Sequence, residues 1–160
     1  MNQPPLEIVK AEVAHRERVW MINNHPQVRS ASFSEGSIPW EDHVRWFQRT
    51  LEDQNKLLLV GLREEAVVSV VRFDRIQPET TEISVAVDPE SHGKGLGKLT
   101  IIRGSQKCFE SWSRVSSILA RIREENLASR GAFEAAGYEY ESETGSEGER
   151  TLALRLFRQS

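Results

Sequence analysis

The spacing of apolar residues changes several times along this chain, and each change marks an element. In Pro5–Val13, Leu6 and Ile8 are separated by a polar residue, which predicts a first strand. His15–Asn24 turns Val19 and Ile22 inward with Trp20 beside them and reads as a short helix. It breaks at Asn24-His25-Pro26, because a residue before proline avoids the α region. Gln27–Pro39 is serine-rich and reads as an irregular loop, of a length that is often functional. Trp40–Gln54 predicts a second helix: Trp40, Val44, Phe47 and Leu51 share one face, and His43 and Trp46 lie on an adjoining one. Lys56–Leu62 and Ala66–Phe73 are β-rich runs joined by a hairpin at Arg63-Glu64-Glu65, and Arg75–Thr80 is a connection.

The next stretch organises the rest. Ile83, Val85 and Val87 alternate with Ser84 and Ala86, the period of a pleated strand, until Pro89 ends it. Gly93, Gly95 and Gly97 follow at alternate positions, and Leu96 opens an apolar helical segment over Gly95–Ser113. A helix N-terminus carries unpartnered amides and a positive dipole end, and glycines let backbone approach an anion closely. Strand, glycine turn and helix can therefore cradle a phosphate, with Lys94 and Lys98 adding charge. The same residues also suit a plain tight turn with lysines in solvent. A Walker loop is excluded because Leu99 follows Gly97-Lys98, and a dinucleotide fingerprint because its third glycine would come too early.

Ser116–Arg123 alternates Ile118, Ala120 and Ile122 as a strand, and Asn126–Ala136 is a fourth helix with Asn126 as N-cap and Gly137 as C′ residue. A strand starts at Tyr138, Glu141–Arg150 is an acidic turn, and Thr151–Arg158 alternates Leu152, Leu154 and Leu156 as the last strand. The result is a mixed α/β sheet with helices on both faces, in a single domain over 1–160.

Composition narrows the class. Hydrophobic content of 38% and charged content of 28% are those of a globular chain. A net charge of −3 gives no general attraction to nucleic acid or anionic membrane, though it permits a local basic funnel. Cys108 is the single cysteine, which excludes an internal disulfide and a cysteine-based metal cluster, and its apolar neighbours Phe109 and Trp112 suggest a buried structural thiol. No metal site is expected. The polar start and the lack of an apolar run of membrane length read as cytoplasmic.

His92-Gly93-Lys94-Gly95-Leu96-Gly97 after the strand resembles motif A of the GNAT superfamily of N-acetyltransferases, Gln/Arg-x-x-Gly-x-Gly/Ala, with His in the first position. Asn126-x-x-Ser129-x-x-x-Phe133-x-x-x-Gly137-Tyr138 resembles that family's second signature, and the order of elements is the family's too. The resemblance implies a GNAT fold, a twisted and mostly antiparallel sheet of about seven strands with four helices on both faces. It implies acetyl-CoA as co-substrate, bound by Val85, Val87, the loop His92, Gly93, Lys94, Gly95, Leu96, Gly97 and Lys98, and by Asn126 and Phe133. The Val87 amide would be the oxyanion donor. Asn24-His25-Pro26-x-Val28-Arg29, Ile38 and His43-x-x-Trp46-Phe47, with the Glu82-to-Gly95 spacing, resemble one branch of the family. That branch is the sugar-nucleotide N-acetyltransferases of pseudaminic acid biosynthesis. The acceptor implied is an amino sugar linked to a nucleotide, held by His25, His43 and Trp46. Protein N-termini, other small amines and a non-catalytic acyl-CoA sensor are the alternatives, and a homodimer is left open.

Acetyl transfer to an amine needs a base in reach of the proton and an acid for the departing thiolate. Glu82, at the start of the central strand, is the candidate base; its other reading is a carboxylate paired with an arginine. His25 and His43 are reserves for base or substrate contact, and their other readings are a turn cap and a surface histidine. Many family members place a tyrosine where this chain has Phe133, which has no proton to give, and the only tyrosines, Tyr138 and Tyr140, come later. Water or Ser129 would then serve the thiolate, or turnover is lost.

Overall fold

The computed structural model describes residues 4–33, 36–91 and 95–159. Among them, strands β1 (Glu7–Lys10), β2 (Lys56–Arg63), β3 (Ala66–Gln77), β4 (Thr80–Val87), β5 (Ser117–Arg123), β6 (Glu139–Thr144) and β7 (Thr151–Phe157) form one sheet. Its order is β1-β2-β3-β4-β5-β7-β6. Every neighbouring pair is antiparallel except β4 with β5, which is parallel. The helices are α1 (Arg16–Asn24), α2 (Pro26–Ala31), α3 (Trp40–Glu52), α4 (Leu96–Ser111) and α5 (Leu127–Ala135).

Two cores follow from the pleat. Leu57 and Leu59 of β2 join Val71, Phe73 and Ile83 under α4 and α5, with Ile101, Cys108 and Phe133 above them. Leu58 and Val60, pointing the other way, join Val70 under Val19 and Ile22 of α1 and Phe47 of α3. A four-residue apolar run can be buried along its whole length only when both faces of the sheet are covered. On β4, Ile83 is buried in the first core and Val85 and Val87 pack against it, while Ala86 packs against the second. β6 is an exposed edge, with no residue even partly buried.

The hairpin at Glu64 and Glu65 forms as expected; both residues have positive φ, 51° and 69°, as a two-residue turn matching strand twist requires. Three expectations are corrected. The segment after Pro26 is not irregular throughout. Proline at the first helical position suits α2, and the His25 Nδ1 caps it by accepting from the Gln27 amide at 3.2 Å. β3 does not stop at Phe73 but runs to Gln77, because Asp74 lies opposite Glu82 and also meets Lys56 and Arg72 at 3.0 and 3.1 Å. The inward face of α3 is His43, Phe47 and Thr50, whereas Leu51 is exposed.

The end of β4 is anchored by Asp88. Its carboxylate accepts from Arg18 Nη2 at 2.9 Å, from Ser91 Oγ and from the Glu90 amide, and Arg18 also donates to the Val67 carbonyl. Burial alone would raise the Asp88 carboxyl, but the Glu90 amide and the Arg18 and Ser91 side chains outweigh it and hold it below its ordinary 3.8. The folded value is the lower one, so this stabilisation is complete above 3.8 and is lost as pH falls through the folded value. Asp88→Ala should cost about 1–3 kcal/mol at neutral pH. Denaturation at neutral pH and at about pH 3 should show the gap between variant and parent closing in acid; a constant gap would place the effect elsewhere.

Candidate active site

β4 and β5 pair only from Thr80 to Ile83 against Ser117 to Ala120. Past that point each strand follows its other neighbour. β4 stays on β3 as far as Val87 opposite Ser69, and β5 stays on β7 as far as Arg123 opposite Thr151. Ser84–Val87 and Arg121–Arg123 therefore diverge, and a cavity of about 1020 Å³ opens between them. Unpaired strand edges present peptide donors and acceptors to whatever enters.

On one arm stands the N-terminus of α4. Gly95 is its N-cap, in the left-handed region at φ 76°, and among the described residues no side chain caps the first turn. The first helical bond runs from the Leu99 amide to the Gly95 carbonyl at 2.9 Å, and Gly95, Leu96, Gly97 and Lys98 line the cavity. A Cβ at Gly97 would stand 3.9 Å from both Val87 Cγ2 and Ala132 Cβ, filling the space between β4 and α5. An uncapped amide turn beside a gap kept open by glycine fits an anionic group on an extended chain. His92, Gly93 and Lys94 lie outside the described residues.

Across the gap, Asn126 caps α5 by accepting from the Ser129 amide at 3.1 Å, and both residues line the cavity. Phe133 completes this wall, buried and edge-on to Tyr138 at 5.0 Å. Tyr138 sits in the core, its hydroxyl bonded to Ser105 Oγ at 2.8 Å, and burial pushes its phenol well above the ordinary 10. Tyr140 is exposed on β6 beneath the Arg130 guanidinium. Neither tyrosine takes the place of the phenol that Phe133 lacks. Burial likewise pushes Cys108 up to about 12, which makes it a structural thiol.

The other arm is charged. Glu82 lines the cavity and accepts from Arg121 Nε at 2.9 Å, so the paired-carboxylate geometry is present at the position of the candidate base. Arg29, Arg49, Arg72, Lys98, Arg121 and Arg123 line the cavity against the carboxylates of Asp42 and Glu82, on a chain whose net charge is −3. Of these arginines only Arg29 stands in a sequence motif; the sole signal for the others is the alternation of Arg121 and Arg123 on one strand. Trp46 lines the same arm beneath the Arg72 guanidinium, 5.7 Å from the ring. His25 caps α2 and places Nε2 3.4 Å from Glu90 Oε1. His43 is no surface histidine: it is 1% exposed, packed among Trp40, Trp46 and Phe47, and its Nε2 donates to the Arg16 carbonyl at 2.8 Å. Its ring forms part of the cavity wall. Among the described residues no group of three or more metal-ligating side chains comes together, and no helix is long and apolar enough to cross a membrane.

Residues 6–139 match the family model of the acetyltransferase (GNAT) domain, and the chain belongs to that family. Acetyltransferase PseH of Campylobacter jejuni subsp. jejuni serotype O:2 is 23% identical over 108 residues. That match covers 68% of this chain and 66%, just under two thirds, of the relative. Among solved structures, spermidine N-acetyltransferase from Vibrio cholerae, in complex with CoA and spermine, superposes with a TM-score of 0.84 at 16% identity over 95% of each chain. YncA, a putative acetyltransferase from Salmonella typhimurium with its cofactor acetyl-CoA, gives 0.76 at 20% identity over 95% of this chain and 93% of that one. At these identities the structural likeness shows the fold.

Burial lowers His43 below its ordinary 6.5, a shift that its bond to the Arg16 carbonyl opposes and the Arg16 charge reinforces. The neutral ring's contribution to stability is therefore complete above 6.5 and declines as pH falls below it. His43→Gln removes that titration while keeping a side-chain donor. Urea midpoints between about pH 7 and 5 should then fall less steeply than in the parent protein; identical slopes would exclude His43 as their source.

Proposed function

We propose that this chain transfers the acetyl group of acetyl-CoA to the amine of a nucleotide-linked amino sugar. The observation that carries the reading is the split between β4 and β5, with an uncapped helix N-terminus on one arm and a cluster of arginines on the other. The first arm suits the pyrophosphate of a coenzyme A, as the CoA and acetyl-CoA in the two structural relatives also suggest. The second suits an anionic acceptor. Spermine, present in one of those relatives, is a polycation, and setting five arginines against it would cost affinity. The match to Acetyltransferase PseH and the pattern from Asn24 to Trp46 support a sugar nucleotide.

Acetyl-CoA supplies the acetyl thioester. The Gly95–Lys98 turn holds its phosphates, and the motif resemblance adds His92, Gly93 and Lys94 as further cofactor contacts. The free edge at Val85 and Val87 holds its extended arm, and the Val87 amide meets the charge that develops on the thioester oxygen. One such donor is typically worth ~2.7–4 kcal/mol. Asn126 and Phe133 close the far wall. Glu82 takes the proton of the amine, and Trp46 with the arginines orients the acceptor, His43 backing Trp46 and His25 holding the start of α2. The thiolate takes its proton from water or from Ser129, which lines the cavity on α5. Phe133 also favours a second reading, a sensor that binds acyl-CoA without turnover.

Thiol release from acetyl-CoA, assayed with amino-sugar nucleotides, polyamines and peptides, separates these readings. Gly97→Val puts a branched side chain between Val87 and Ala132, and Gly95→Val strains a left-handed residue. Both should abolish acetyl-CoA binding in calorimetry, and unchanged affinity would place the cofactor elsewhere. Glu82→Gln should lower kcat on the order of 10²–10⁴-fold and remove the acidic limb of the pH profile. Phe133→Tyr should raise kcat if departure of the thiolate limits the rate. If neither change moves a measurable rate, Glu82 is structural.

A further inference from the structure

Not every arginine–carboxylate pair in this molecule is made the same way. Arg155 grips Glu141 with both Nε and Nη2, at 2.9 and 3.1 Å, and gives Nη1 to Ser117, with its side chain 20% exposed. That is a two-pronged fork, the geometry of a fixed pair. Arg121 holds Glu82 by Nε alone at 2.9 Å. Its two terminal nitrogens have no hydrogen-bond partner among the described residues, and its side chain is 56% exposed at the cavity. The pair is half made and open to exchange. Around it the cavity offers cations and few anions. Arg49 and Lys98 have no side-chain partner among the described residues, and Arg123, two positions along β5, is tied to the Ser32 carbonyl at 2.8 Å.

Glu82 itself is less exposed, at 20%, and lies opposite Asp74 on β3. Asp74 is already shared between Lys56 and Arg72. With Arg121 withdrawn, Glu82 Oε2 would be free to accept a hydrogen bond from an incoming group.

We propose that Arg121 is an exchangeable clamp on Glu82: it occupies the carboxylate until the phosphates of an acceptor draw the guanidinium away, and only then does Glu82 serve as the base. This rests on the reading of Glu82 and of an anionic acceptor given above. The clamp protects the thioester from water. In the uncoupled reaction a water oxygen bonds to the acetyl carbon, the carbon–sulfur bond breaks and Glu82 takes the water's proton. That proton then passes to the thiolate, so the products are coenzyme A and acetic acid, which gives its remaining proton to solvent as acetate. With Arg121 in place the base is engaged and this path is slow.

The test needs no amine. Purified protein is given acetyl-CoA alone, or acetyl-CoA with uridine diphosphate, and free thiol is followed. The parent protein should release thiol slowly, and uridine diphosphate should accelerate it. Arg121→Gln should raise release without any acceptor on the order of tenfold, should no longer respond to uridine diphosphate, and should lose the excess when Glu82→Gln is added. With amines, Arg121→Gln should raise KM for a uridine-diphosphate-linked amino sugar and leave KM for the unphosphorylated amino sugar and for acetyl-CoA unchanged. Arg121→Lys keeps the charge without the fork and should lie between; it carries the test if the glutamine variant melts early. Release by Arg121→Gln no faster than by the parent, or equal KM changes for both amines, overturns the clamp. The function proposed above fails by a different outcome, namely no amine raising thiol release by the parent protein while acetyl-CoA still binds.

Discussion

The central cavity depends on one break in hydrogen bonding, the parting of β4 from β5 after Ile83. A strand in a sheet satisfies its backbone on two sides, and here each strand loses one side while keeping the other. β4 remains on β3 and β5 on β7, so both are held rigidly while the space between them stays open. Asp88 and Arg18 fix the free end of β4 to α1, which prevents the gap from collapsing at its mouth. Gly97 keeps the floor between Val87 and Ala132 clear. The cavity is thus a consequence of where the β4–β5 ladder stops: each strand keeps its outer neighbour, β3 or β7, and opens on the side they shared.

The two arms differ in chemistry because they are built from different faces of the sheet. On the α4 and α5 side, apolar packing brings a helix N-terminus to the gap, which is lined there by backbone. On the α1 and α3 side, the polar residues of the alternating strands, Arg72, Glu82 and Arg121, line the same space with side chains. His43 belongs to neither set. Buried among three aromatic rings and bonded to the Arg16 carbonyl, it positions Trp46 and ties α3 to the start of α1.

Much of this was legible along the chain, because much of it is local. Period-2 alternation located β4, β5 and β7, and glycine spacing located the turn before α4. The Asn126 cap and the Gly137 left-handed residue, at φ 98°, follow from side chain and backbone chemistry within a few residues. The errors were also local in origin. Pro26 ends α1 as expected, but it also starts α2, so the segment behind it is partly helical. Asp74 and Arg75 carry β3 past Phe73 through partners distant in sequence, Lys56 on β2 and Trp112 past α4.

What the sequence by itself determined is most of the elements, α2 excepted, the helices on both faces of the sheet and the glycine turn, since propensity, period and capping act over a few residues. Tertiary structure alone decided which charges meet. Arg121 and Glu82 are 39 residues apart and touch only because the parallel crossover through α4 sets β5 beside β4. His43 has two sequence readings, a base or substrate contact and a surface histidine, and the packing of α3 on β2 and α1 buries it. Burial and ion pairing are properties of neighbours brought together by the fold, and no spacing along one strand or helix encodes them.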